Sequence, residues 1–164
     1  MNNVTAVCPG SFDPVTVGHL DIITRAAGMF SKVIVLVSTN ANKTPLFSTE
    51  ERISMLKAAT VNLDNVVIDS YDGLLAEYTK KVGAGAIVKG LRAMSDFEYE
   101  FQMALTNKKL NPETETLFLT TTAENMFLSS SIVKQVAGFS GDVSNFIPKC
   151  VLEALEKKNL FGGN

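Results

Sequence analysis

Five consecutive aliphatic residues, Val33-Ile34-Val35-Leu36-Val37, constrain the fold of this chain more than any other feature. An unbroken, β-branched run of this length suits a strand buried on both faces, and such strands occur in parallel sheets. Parallel neighbours cannot be joined by a hairpin and need a crossover, usually a helix. The flanking sequence supplies both. Val4 to Cys8 reads as a first strand, and Leu20, Ile23, Ala27 and Phe30 follow at helical spacing.

The same alternation continues to the end of the chain. Ser48-Thr49-Glu50-Glu51 has the form of a capping box and opens a helix with Ile53 and Leu56 inward. Val66 to Ile68 reads as a third strand, Leu74 to Val82 as a helix closed at Gly83, and Ala86 to Val88 as a fourth strand. Ser95-Asp96-Phe97-Glu98 predicts a second capping box, its helix turning Phe97, Phe101, Ala104 and Leu105 to one face and stopping at Asn111-Pro112. A second stripe on that helix, Tyr99 and Met103, is available to another subunit or to a wide core face. Leu117 to Leu119 gives a fifth strand. Two further helices begin among Ser129 to Ser131 and at Pro148. The order βαβαβαβαβαα, without a linker or repeat, predicts one α/β domain over residues 1–164. It has a five-stranded, mainly parallel sheet and helices on both faces.

Several function classes fall away. No GxxxxGK[ST] motif is present, and Gly83-Ala84-Gly85 precedes a strand and has Val88 where a dinucleotide fingerprint needs glycine. Cys8 and Cys150 lie too far apart in sequence for a zinc pattern, and they suit a reducing compartment. The formal net charge of −2 speaks against bulk attraction to nucleic acid or an anionic membrane. With no apolar run of membrane-spanning length and no leader-like start, a cytoplasmic location is expected.

In open parallel sheets, ligands bind beyond the carboxyl ends of the strands, so the loops after each strand carry the chemistry. After the first strand comes Pro9-Gly10-Ser11-Phe12-Asp13-Pro14-Val15-Thr16-Val17-Gly18-His19. Gly10 allows close backbone approach, Ser11 offers a hydroxyl, and His19 falls at a helix start, where free N–H groups favour an anion. A lone histidine more often has a structural role; its place in this loop shifts the balance. After the fourth strand, Lys89-Gly90-Leu91-Arg92 puts two cations around a glycine, suited to phosphate. Elsewhere such a run would be a solvated turn. Ser129, Ser130 and Ser131 can cap a helix or hold phosphate, and cannot easily do both.

Together these stretches resemble the Gly-His nucleotidyltransferases, and most closely the phosphopantetheine adenylyltransferase family. The stretches that carry the resemblance are Pro9 to Pro14 with Thr16 to His19, Lys89 to Ala93, Asp96 to Glu100, Ser129 to Lys134, and Gly141 to Val143. They occur in order over nearly the whole chain. The resemblance implies a Rossmann-like nucleotidyltransferase fold and transfer of AMP from Mg-ATP to 4′-phosphopantetheine. It implies His19, Lys43 and Arg92 as catalytic residues. It implies an ATP site of Ser11, Phe12, His19, Gly90, Leu91, Arg92 and Glu100 with Asn125, Met126, Phe127, Leu128, Ser129, Ser130 and Ser131. Ser11, Lys43, Leu75, Lys89, Met103 and Asn107 fall to phosphopantetheine. Mg²⁺ is expected mainly on ATP phosphates and water, with few or no direct protein carboxylate ligands, and a homohexamer is implied. Lys89 stands where the family usually has arginine, and Asn125-Met126 where an aromatic and a small polar residue are common. A cytidylyltransferase, a nicotinamide mononucleotide adenylyltransferase and a nucleotide sensor without turnover are the competing readings.

Overall fold

The computed structural model describes residues 3–38 and 44–159. The strands are β1 (Thr5–Gly10), β2 (Lys32–Ser38), β3 (Val66–Tyr71), β4 (Ala86–Leu91) and β5 (Glu115–Thr120). Helices α1 (Val17–Met29), α2 (Thr49–Ala59), α3 (Leu75–Val82) and α4 (Met94–Leu110) alternate with them, and α5 (Ser130–Gly138) and α6 (Lys149–Lys157) follow. The strand order is β3-β2-β1-β4-β5, and every pairing is parallel.

Chain direction and handedness explain which helix lies where. From β1 the chain steps outward through β2 to β3, then returns past β1 to β4 and on to β5. Right-handed crossovers put helices on opposite faces when the direction of stepping reverses. Strand parity records the result. Ala6, Cys8, Val33, Val35 and Val37 pack in one core with residues of α1, α2, α5 and α6, whereas Val7, Ile34 and Leu36 face Tyr78 and Leu75 of α3. The reversal falls between β1 and β4, which opens a crevice at their carboxyl ends.

The helix ends follow the sequence signals closely. Ser48 and Glu51 form the expected reciprocal cap of α2, and Gly83 closes α3 in the left-handed conformation. Helix α4 departs from expectation. It starts at Met94 behind Ala93, without a side-chain cap. Its Phe97, Phe101 and Leu105 are 37%, 46% and 57% exposed, not core. The stripe turned inward instead includes Asp96, Glu100, Met103, Ala104 and Asn107, all half-buried or buried. Two ion pairs hold that rotation: Asp96 meets Arg92 at 3.3 Å and Glu100 meets Lys89 at 3.2 Å. Tyr99 is exposed, so the half-buried Met103 does not share an outward stripe with it. Among the described residues, no helix is long and apolar enough to cross a membrane.

Candidate active site

The loop after β1 is shaped by packing under its own backbone. A Cβ on Gly10 would lie 2.9 Å from the Phe12 ring, so only glycine fits beside that ring. Phe12 itself has φ of 47°, a left-handed conformation unfavourable for a bulky residue. Its buried ring compensates, meeting the His19 imidazole edge-on at 5.1 Å. Asp13, also buried, accepts from the amides of Leu46 (2.9 Å) and Phe47 (2.8 Å) and from the Lys134 ammonium (3.0 Å). Burial pushes its carboxyl pKa up, but those donors outweigh it and hold the group below its ordinary value.

His19 sits at the third position of α1 and takes the part usually played by glutamate in a capping box. Its backbone N–H donates to Thr16 Oγ1 at 3.3 Å, and its Nδ1 accepts from the Thr16 backbone N–H at 3.0 Å. An Nδ1 that accepts leaves the ring proton on Nε2. Burial, and then the charge of Arg92, lower the imidazole pKa to about 4. At neutral pH His19 is therefore an uncharged Nε2–H donor. Its contribution to an anion is then a dipole and not a charge.

The second loop meets it across the β1/β4 crevice. Arg92 donates from Nε to Asp96 at 3.3 Å and from Nη1 to the Leu128 carbonyl at 3.1 Å, which ties it to the approach to α5. Lys89 Nζ lies 3.2 Å from Glu100 Oε2, without the alignment of a hydrogen bond, so that buried oxygen has an ion-pair partner but no donor. Gly90 faces Ile22, which a Cβ would approach to 3.0 Å.

At α5 the question of capping against phosphate is resolved by the hydroxyls. Ser129 Oγ accepts from the Ile132 amide at 3.1 Å, and Ser130 Oγ donates to the Pro14 carbonyl at 2.7 Å. Both are engaged in structure, and Ser131 is exposed. What this end offers an anion is its free backbone N–H groups.

These parts enclose a cleft of about 410 Å³. It brings together Ser11, Phe12, His19, Lys89, Gly90, Arg92, Glu100, Asn125, Leu128 and Ser129 to Ser131. Leu91, Met126 and Phe127 are not in its wall; Met126 and Phe127 are exposed. Sequence reasoning missed Ile22, Val88 and Thr121 in the lining. Val88 precedes Lys89 and Gly90 in β4 and packs in the core beneath the cleft, so its place before the basic loop could have found it. A smaller cavity of about 120 Å³ shares Pro9, Gly10 and Lys89 with the first. Leu75 lines it, with Leu36, Ser38 and Tyr71 unforeseen. Met103 and Asn107 line neither cavity. Asn107 is buried and its carbonyl accepts from the Asn111 amide at the end of α4. Lys43 lies outside the described residues.

Among the described residues, no group of three or more His, Cys, Asp or Glu side chains is placed to hold a metal ion. The cleft carboxylates, Asp96 and Glu100, already face Arg92 and Lys89. Such a donor set fits a cation that arrives on phosphates and water, and does not form a carboxylate cage.

Comparison with known proteins agrees with this geometry. Residues 7–136 match the cytidylyltransferase-like family. The chain is 59% identical over 153 residues to the phosphopantetheine adenylyltransferase of Caldanaerobacter subterraneus subsp. tengcongensis, covering 93% of this chain and 96% of that protein. It is 56% identical, also over 153 residues, to the protein of the same name from Heliobacterium modesticaldum, covering 93% and 91%. It shares its fold with Plasmodium falciparum nicotinic acid mononucleotide adenylyltransferase, solved with NaAD, at a TM-score of 0.70 and 15% identity, over 99% of each chain. At such coverage and identity to the first two, with the Gly-His cleft intact, the chain is an enzyme belonging to the phosphopantetheine adenylyltransferase family.

Proposed function

We propose that the protein transfers AMP from ATP to 4′-phosphopantetheine, releasing pyrophosphate and forming dephospho-coenzyme A. The observation that carries this reading is the meeting of two cavities at Gly10 and Lys89. The larger carries a histidine donor, an arginine and a helix N-terminus, as a triphosphate requires. The smaller, beside Leu36, Tyr71 and Leu75, offers an apolar wall to a pantetheine arm. A nucleotide sensor without turnover would have no use for the second cavity.

The acceptor phosphate has a second pKa of about 6, so it is largely ionised at neutral pH and needs no strong general base. One of its oxygens attacks the α-phosphorus as the bond to the β-phosphate bridging oxygen breaks, and the electron pair leaves on pyrophosphate. The chain's work is to align the two anions and stabilise charge on the transferring group. His19 donates from Nε2, Arg92 supplies fixed positive charge, and the α5 amides hold phosphate oxygens. Lys43 and Lys89 serve the acceptor phosphate, and Glu100 lies on the nucleotide side. Mg²⁺, carried on the phosphates and water, would neutralise further charge there. The reaction is placed in the cytoplasm. A homohexamer belongs to the same proposal, supported by the exposed apolar stripe of α4.

Incubation with ATP and 4′-phosphopantetheine tests the reading through pyrophosphate release. Release with this acceptor supports it. Release only with cytidine triphosphate or with a nicotinate nucleotide acceptor sinks it in favour of another nucleotidyltransferase. ATP binding without release from any acceptor sinks it in favour of a sensor.

A further inference from the structure

Arg52 of α2 is the most deeply buried charged side chain among the described residues, only 3% exposed. It lines neither cavity. Among the described residues no carboxylate pairs with it. Its donors go to neutral oxygens: Nη1 to the Ser11 carbonyl at 2.8 Å, Nε to the Ser48 carbonyl at 3.3 Å, and Nη2 to Thr49 Oγ1 at 3.1 Å. A desolvated cation without a salt-bridge partner, its charge felt only by the exposed carboxylate of Glu50, is a poor way to stabilise a fold, since an apolar side chain of similar volume commonly does as well or better. The shortest of its bonds is the long-range one, to Ser11, a residue that lines the nucleotide cleft.

In a trans peptide the N–H points opposite to the C=O. Fixing the Ser11 carbonyl on Arg52 therefore fixes the direction of the Phe12 N–H, away from α2. Among the described residues nothing accepts from that N–H, and Phe12 is held in an unfavourable left-handed conformation. Strain of this sort persists only where the surroundings over-determine it.

We infer that Arg52 is a positioning residue: its guanidinium, held to the start of α2, orients the Ser11–Phe12 peptide so that the Phe12 N–H donates to the nucleotide's phosphates. This rests on the nucleotide reading of the larger cleft. Ser48 and Thr49 provide the fixed end of the strut, because the reciprocal cap with Glu51 makes that turn rigid. The guanidinium is suited to this task because its fork bonds both ends at once; lysine reaches one end at a time.

Two variants test the inference, Arg52→Met, which keeps the volume without the donors, and Arg52→Lys. Each is read by melting temperature, by the rise in that temperature with ATP, and by kcat and both KM values from pyrophosphate release well below the melting point. The expected result for Arg52→Met is a kcat loss of about ten- to a hundredfold from the misplaced donor. Its ATP-induced stabilisation should shrink, and KM for phosphopantetheine should stay within about twofold. Arg52→Lys should recover part of the kcat. A folded Arg52→Met with the kcat and ATP response of the parent overturns the inference, as does an equal loss in both KM values. If Arg52→Met fails to fold, Arg52→Lys decides, and full activity in it overturns the inference. Should the unaltered protein release no pyrophosphate with this acceptor, the proposed activity fails. The ATP-induced stabilisation still tests Arg52, and an undiminished response in Arg52→Met overturns its role.

Discussion

At the scale of the residue, the site turns on the protonation of one imidazole. His19 is the only histidine in the chain, so its titration can be followed without assignment. Protonating Nδ1 would take away the acceptor of the Thr16 N–H and place a cation in a half-buried position beside Arg92. The apparent pKa read by NMR should therefore fall near 4, against an ordinary value of 6.5, with the neutral ring protonated at Nε2. A value near 6.5, or the Nδ1–H tautomer, would sink that description. The sign for stability follows. As pH falls the unfolded chain takes up this proton first, so the contribution of His19 is complete above pH 6.5 and is lost between 6.5 and about 4. Substituting His19→Ala should lower kcat by about 10²–10³ while ATP affinity changes less, as for a donor that matters most in the transition state. Equal losses in affinity and in kcat would argue against that role. Lys89 makes the complementary case on the acceptor side. It lines both cavities with a single-point charge where the family usually forks. Lys89→Arg should lower KM for phosphopantetheine by about threefold to tenfold and leave KM for ATP unchanged, on the roughly 1 kcal/mol advantage of a paired hydrogen bond. An unchanged KM for phosphopantetheine would count against a phosphate contact at this position.

At the scale of the element, what was legible depended on whether the signal was local. The caps at Ser48 and Gly83 are local and were readable. The inward face of α4 was not readable from periodicity, because Asp96 and Glu100 look like solvent-facing charges until Lys89 and Arg92 are seen beneath them; only the family resemblance pointed to Glu100. Arg52 was hidden for the same reason. It lies on the same face of α2 as Met55 and Leu56, and a cation in an apolar stripe was the one available clue. The end of α4 is a further long-range feature. Asn111 Nδ2 donates to Thr79 Oγ1 at 3.1 Å and to Thr114 Oγ1 at 2.8 Å, and Thr114 donates to the Ala84 carbonyl at 2.7 Å. This buried chain of bonds joins α3, α4 and the approach to β4. Asn111→Ala leaves two buried hydroxyls short of a donor and should cost about 1–3 kcal/mol. In urea the midpoint should fall with an unchanged slope, and kcat at low temperature should be retained. A midpoint equal to that of the parent would mean that water replaces the amide.

At the scale of the whole molecule, the sheet is asymmetric in a way that alternation alone does not reveal. The face under α1, α2, α5 and α6 is closed by a large core, whereas the cluster around Tyr78 on the other face is small. Toward β5 that second face ends in α4, whose Phe97 and Phe101 rings stack at 5.5 Å with much of their surface in solvent, with Phe118 of β5 edge-on to Phe97 and exposed Leu105 one turn further along the helix. The period of α4 marked an apolar face, and its Phe97, Phe101 and Leu105 stay exposed because neighbours in this chain do not cover them. A contiguous aromatic and aliphatic surface of this kind marks an interaction face, and β5 beside it is an unpaired sheet edge that a monomer would need to protect. If the proposed hexamer forms through this face, sedimentation of the unaltered protein should give an assembly of six chains. Phe101→Glu combined with Leu105→Glu should then shift it to smaller species, because two buried, unpaired carboxylates oppose association strongly. Both side chains point away from the stripe that carries Asp96 and Glu100, so the cleft should survive in the dissociated protein and still bind ATP. A parent protein that sediments as single chains removes the proposal. A doubly substituted protein that keeps its size places the interface elsewhere on the surface.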